Sequence, residues 1–136
     1  MVLYATYCSA EKDGSSTRLP AIERYQSDRI SGVCSAAKIA GATFGILSGQ
    51  YGLISADHPL PYYDHLLQEG QIGEMTHQVQ ATLNDWNITE IHWFSVAFEM
   101  DPNVKRYQMV MEAAAKNIGA EFQLTLWEPT GMLGLI

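Results

Sequence analysis

Thr43-Phe44-Gly45-Ile46-Leu47-Ser48-Gly49-Gln50-Tyr51-Gly52 is the stretch that decides the fold. An apolar run of strand length passes directly into a turn of serine and glycine, which reads as a strand ending at a polar rim. Upstream, Gly41 is a stop signal for a helix over about 21–40, where Ile22, Tyr25, Ile30, Val33, Ala37 and Ile39 recur at helical spacing. Before that helix, residues 2–7 are short, apolar and rich in β-formers. They too end in a polar turn, Cys8-Ser9-Ala10-Glu11-Lys12-Asp13-Gly14.

Downstream, residues 53–73 carry prolines, tyrosines and glycines and read as an irregular excursion with one short helical turn near 63–68. A helix is expected over 74–86, with Met75, Val79, Leu83 and Trp86 on one stripe, leading to a third strand over 90–96. Asp101-Pro102 has the form of an N-cap followed by proline at the first helical position. The stripe Tyr107, Val110, Met111, Ala114 and Ile118 continues that helix to Gly119, and a fourth strand follows over 120–127. The tail Pro129-Thr130-Gly131-Met132-Leu133-Gly134 reads as a loop or a clipped last helix. Strand and helix alternate throughout, so the expected class is α/β: a three-layer α/β/α sandwich on a mostly parallel sheet of about four strands. With no internal repeat or linker, one domain is expected over 1–136.

Composition narrows the function classes. Of 136 residues, 47% are hydrophobic, enough for a core of ordinary size. Eight Lys and Arg against fifteen Asp and Glu give a net charge of -7, which opposes unaided binding of extended duplex nucleic acid unless a basic partner assists. A small anionic ligand is compatible with that charge, because backbone N–H groups and one well-placed lysine suffice to hold a phosphate. The opening apolar run is too short for a secretory core, and no stretch reaches the roughly 18 apolar residues of a membrane span. A cytoplasmic location with no membrane partner is therefore expected. Cys8 and Cys34 lack zinc-site or disulfide spacing, so both are read as reduced thiols, and neither a structural metal nor a cofactor is expected.

Parallel sheets bind ligands outside the carboxyl ends of their strands. Two polar turns fall at that edge, so the site is expected at the ends of the first two strands. One turn offers the thiol of Cys8, the hydroxyl of Ser9 and the ammonium of Lys12; the other offers Ser48 and Gly49, whose small size lets backbone approach a ligand. A small cysteine packed at a strand end, and serines that merely satisfy their turns, are the plainer readings of the same residues. In the long loop, Tyr63 and Asp64 pair an aromatic platform with a carboxylate, an arrangement that stacks on a base and accepts its N–H groups. Alternatively Tyr63 packs the loop and Asp64 caps a helical turn. His58 and His65 lie nearby but form no recurrent metal motif. Trp86, Trp93 and Trp127 are read as packing residues, and Glu99 and Asp101 as carboxylates at the same edge, Asp101 capping the helix after it.

Cys8-Ser9 with Lys12, Tyr25-Gln26-Ser27, the run 44–54 ending in Leu-Ser-x-x-Tyr-Gly-Leu-Ile, Tyr63-Asp64 with Leu67, and Gly131-Met132-Leu133-Gly134 together resemble a bacterial and archaeal family distantly akin to the YaaA peroxide-stress proteins. Tyr62 stands where that pattern has proline. The resemblance implies an α/β sandwich similar to the uracil-DNA-glycosylase-like group and a pocket lined by Cys8, Ser9, Lys12, Ser48, Gly49, Tyr63 and Asp64. It implies no reaction. The expectation drawn from residues and resemblance together is a nucleobase- or nucleotide-directed enzyme that cleaves a glycosidic bond or transfers a base. In it Asp64 and Cys8 are the candidate catalytic groups, and Ser9, Lys12, Ser48, Gly49 and Tyr63 bind the ligand. The alternatives are a non-catalytic module for a nucleotide-like ligand or a partner, and a thiol sensor centred on Cys8.

Overall fold

A computed structural model describes residues 1–15 and 17–127. The elements in chain order are β1 (Val2–Tyr7), β2 (Leu19–Pro20), α1 (Ala21–Arg24), α2 (Asp28–Ala40), β3 (Thr43–Ser48), β4 (Gly52–Ile54), β5 (Pro59–Leu60), α3 (Ile72–Asp85), β6 (Glu90–Ser95), α4 (Val104–Ile118) and β7 (Glu121–Leu126). The central sheet has five strands in the order β4-β3-β1-β6-β7. The four strands read from the sequence, β1, β3, β6 and β7, are its parallel members, and β4 adds an antiparallel edge to β3.

Strand periodicity assigns the layers. In β1 the Thr6 hydroxyl receives a hydrogen bond from Arg29 of α2, while the next ring, Tyr7, lies 6.1 Å from that of Tyr107 in α4. Successive side chains of a strand point to opposite faces, so α2 covers one face and α4 the other. Gly45, level with Ala5 in the sheet, faces the Trp86 ring at the end of α3, which places α3 beside α4. The result is a three-layer α/β/α sandwich on a mostly parallel sheet. Leu3, Ala5, Ile91, Trp93, Met111 and Ala114 are fully buried between the sheet and α4, and Trp93, read as packing, is the largest of them. No helix among the described residues is long and apolar enough to cross a membrane.

The structure corrects four local readings. The helix expected over 21–40 is broken at 25–27, because Tyr25 is extended there and pairs with Lys12 across an isolated antiparallel bridge. Two further backbone bonds, Asp13 N to Arg24 O at 2.7 Å and Gln26 N to Glu11 O at 2.8 Å, fasten the loop after β1 to this break. Ser27 then restarts the helix by accepting a hydrogen bond from Ile30 N. Ile39, expected on the buried stripe, is 89% exposed. The excursion over 53–73 is less irregular than expected: it contains β4, then β5, which pairs with β2, and its helical turn is a 3-10 turn at Glu69–Gln71 rather than 63–68. α3 begins at Ile72, two residues ahead of the expected start. Gly41 and Gly119 end α2 and α4 in the left-handed conformation, as read. The tail over 128–136 lies outside the described residues.

Candidate functional site

The chain leaves β1 toward β3 through α2 on one face, then returns past β1 to β6 through α3 on the other face. Connections diverge in this way between β1 and β6, the topological switch point where open α/β sheets have a crevice at the carboxyl edge. A cleft of about 280 Å³ lies there, lined by Tyr7, Cys8, Ser9, Ala10 and Lys12 after β1, Asp101, Asn103, Val104 and Tyr107 around the start of α4, Asp64, His65 and Leu66 from the long loop, and Arg29 from α2. The site expected between the ends of the first two strands is therefore displaced by one strand.

Cys8, Ser9, Lys12 and Asp64 share this cleft; Ser48, Gly49 and Tyr63 are not in its lining. Ser48 is fully buried, and its hydroxyl accepts hydrogen bonds from Gln50 N at 3.2 Å and Tyr51 N at 3.0 Å while bonding the Tyr63 hydroxyl at 2.8 Å. It organises the turn after β3 and has no open face for a ligand. Tyr63 is likewise buried, edge-on to the rings of Tyr25 and Tyr51, and the Lys12 ammonium sits 4.9 Å from its centroid. This ring forms a support for Lys12 rather than a platform for a base. Gly49 supports the cleft from below: a β-carbon there would come within 2.7 Å of the Tyr107 hydroxyl and 2.9 Å of Leu67 N. Only glycine lets the 65–67 backbone lie this close to the turn after β3.

Asp64 is exposed at the rim and makes no hydrogen bond among the described residues. Asp101, expected as the N-cap with Pro102 opening the helix, instead accepts from Asn103 N at 3.0 Å in the turn before α4, whose N-cap position is Asn103, and it also faces the cleft. Glu99 is exposed outside it. His65 belongs to the wall, its Nε2 2.9 Å from Gln71 Oε1, whereas His58 sits elsewhere and contributes its carbonyl to Ala21 N. The Cys8 thiol donates to the Tyr107 hydroxyl at 3.7 Å, and Tyr107 accepts in turn from Leu67 N at 3.1 Å. No base takes the thiol proton in this arrangement. Burial raises the phenols of Tyr7, Tyr25, Tyr63 and Tyr107 above their usual range, with the nearby Cys8 adding in the same direction, so all four are neutral hydroxyls at neutral pH.

Arg29 is the residue that sequence reasoning missed. It is 9% exposed and stacks 3.5 Å over the Tyr7 ring. Its guanidinium donates to the Thr6 hydroxyl, to Tyr7 O at 2.7 Å and to Cys8 O at 3.3 Å. Two of its five N–H groups remain without a partner among the described residues. Burial lowers its pKa, against the raising influence of Tyr7 and Cys8, yet an arginine keeps its charge. A signal existed in the sequence: Arg29 follows the Ser27 cap, and a cation in the first turn opposes the helix dipole unless it has another task. No family model, curated protein or solved structure matches the chain.

Proposed function

We propose that the chain acts on a nucleotide-like ligand in the cleft between the ends of β1 and β6, cleaving its glycosidic bond by hydrolysis. The observation that carries this reading is polarity. Lys12 and Arg29 line the same cleft as the open carboxylate of Asp64, so it accommodates an anionic group and a developing positive charge in one ligand. In this reading Lys12 holds the phosphate, Ser9, whose hydroxyl donates to Glu11 O at 2.6 Å, accepts from a ribose hydroxyl, and the base rests against Leu66. Asp64 takes a proton from a water that attacks the anomeric carbon as the bond to the base nitrogen breaks. The bonding pair leaves with that nitrogen, which gains a proton from solvent, and the carboxylate stabilises the oxocarbenium-like charge meanwhile. The kinship to YaaA-like and glycosylase-like proteins suggested by the motifs belongs to the same proposal. Cys8 is the weaker catalytic candidate, since its thiol donates to a phenol oxygen rather than to a base.

The test is a screen of nucleosides, nucleotides and short single strands for release of free base. Wild type is expected to turn over at least one class, and Asp64→Asn to lose about 100-fold or more of that rate, within the range for a lost acid–base group. Equal turnover by both would remove Asp64 from the mechanism. The exposure of Asp64 favours a second reading, a binding module, because water screens an open carboxylate and weakens it as a catalyst. In that case nucleotides would raise the melting temperature and no product would form. Rapid alkylation of Cys8 at neutral pH would instead point to a thiol sensor.

A further inference from the structure

Three arginine and lysine side chains converge on the segment after β1, and two of them are open toward the cleft. Arg24 is fully buried and spends all five donors on the carbonyls of Asp13, Ser15, Thr17 and Leu60, so it shapes the loop and has nothing left for a ligand. Arg29 and Lys12 differ. Neither makes a salt bridge among the described residues, where the only ion pair is His92 with Glu90. Both line the cleft, Arg29 with two N–H groups unspent and Lys12 held by its tyrosine ring. Asp64 and Asp101 line the same cleft, and Asp101 acts on Arg29 through space, but neither reaches a cation at ion-pair distance, so both cations keep donors for an anion from outside.

From this we infer that the cleft is built for a terminal phosphate monoester, which makes the ligand a nucleoside monophosphate or sugar phosphate and not a free nucleoside or a nucleic-acid strand. Charge and access both lead there. A monoester carries close to two negative charges at neutral pH and so gains more from Lys12 and Arg29, against the Asp64 and Asp101 carboxylates of the same lining, than an internal phosphodiester with one. Arg29 is 9% exposed, so an anion that meets it must reach past the rim with its end free; a strand phosphate has a sugar on each side and stays outside. An acidic surface also lacks the extended positive charge that a polynucleotide requires. The phosphate belongs with Lys12 and Arg29, the Ser9 hydroxyl proton being spent on Glu11 O, which leaves the sugar toward Asp64, where two negative groups would otherwise meet.

This inference rests on the cleft of the proposed function but not on its chemistry, and calorimetry separates the two. The probes are adenosine, its 5′-monophosphate, ribose 5-phosphate, inorganic phosphate and a short single-stranded oligonucleotide lacking a terminal phosphate. The monophosphate should bind wild type about tenfold or more tighter than adenosine, the scale of one or two charge-assisted hydrogen bonds. Lys12→Gln should erase most of that advantage without unfolding the chain, since Lys12 is partly exposed. Arg29→Lys should weaken it too while keeping the charge, because it loses the guanidinium fork. Equal binding of adenosine and its monophosphate, or tighter binding of the oligonucleotide, would overturn the inference. So would failure of every phosphorylated probe to bind. Lys12-dependent binding of ribose 5-phosphate or phosphate with no nucleotide ever cleaved would sustain the phosphate site and discard the glycosidic reaction.

Discussion

Two buried arginines in one small protein show how the same side chain is put to different work. Arg24 bonds four backbone carbonyls and is sealed from solvent, so Arg24→Met would leave those acceptors unpaired and should cost at least about 3 kcal/mol of stability by chemical denaturation. A loss under about 1 kcal/mol would mean that the 13–17 loop is held by something else. Gly49 offers a second check at this scale, since its missing β-carbon is what lets the 65–67 backbone rest on the turn after β3. Gly49→Ala should destabilise by about 1–3 kcal/mol, the usual range for overpacking a close contact, and should also weaken ligand binding by shifting neighbouring Asp64. Loss of stability with ligand affinity intact would show that the rim tolerates the shift. Of the candidate site, Cys8, Ser9 and Lys12 were legible because they follow a strand end, and Asp64 because it is a carboxylate in a long loop; all four reach the cleft. Ser48 and Tyr63 occupy the same rim but turn inward to bond each other, and no spacing rule states which way a hydroxyl points.

Helices α2 and α3 each contain a glycine whose substitution by alanine gives opposite expectations. Gly73 stands in the first turn of α3 with nothing within 4 Å of a β-carbon, so Gly73→Ala should stabilise the chain by about 0.5–1 kcal/mol through helix propensity. Gly32 in α2 faces the Trp127 ring, which a new β-carbon would overlap, and Gly32→Ala should lose that gain while moving the indole outward. Thermal melts of the two variants side by side provide the comparison, and an equal gain for both would contradict the Trp127 contact. Apolar runs of strand length found the four parallel strands, and helical periodicity found the stripes of α3, α4 and, Ile39 apart, α2, because a helix that buries one face is marked every three or four residues. It passed over the break at 25–27, which is imposed by pairing with residues 11–13 far off in the chain rather than by any local breaker. Strand β4 was missed for a related reason, since three residues are too few to show a period.

At the scale of the molecule, strand order decides where the cleft opens, and strand order is a property of pairings rather than of any one segment. Placing β1 between β3 and β6 puts the switch point beside the Cys8 turn, and the same arrangement gathers Tyr7, Tyr25, Tyr63 and Tyr107, four of the seven tyrosines, around that turn in buried positions. These phenols share a physical fate. In the unfolded chain they ionise near pH 10, the ordinary value for a phenol, whereas burial, reinforced by the adjacent Cys8, raises each of them in the folded state. Below pH 10 both states hold the protons and stability is unaffected by these groups. Above it the unfolded chain releases protons that the native chain retains, so stability falls as pH rises, by up to about 1.4 kcal/mol per pH unit for each retained proton. Four such groups together give a slope of at most about 5.5 kcal/mol per unit, comparable with the whole stability of an ordinary domain. An alkaline titration should therefore show one steep transition above pH 10, in which the phenolate absorbance of these tyrosines rises together with the loss of far-ultraviolet circular dichroism. Gradual ionisation of all seven with the dichroism unchanged would mean that water reaches this cluster, and the sealed floor beneath the cleft would have to be given up.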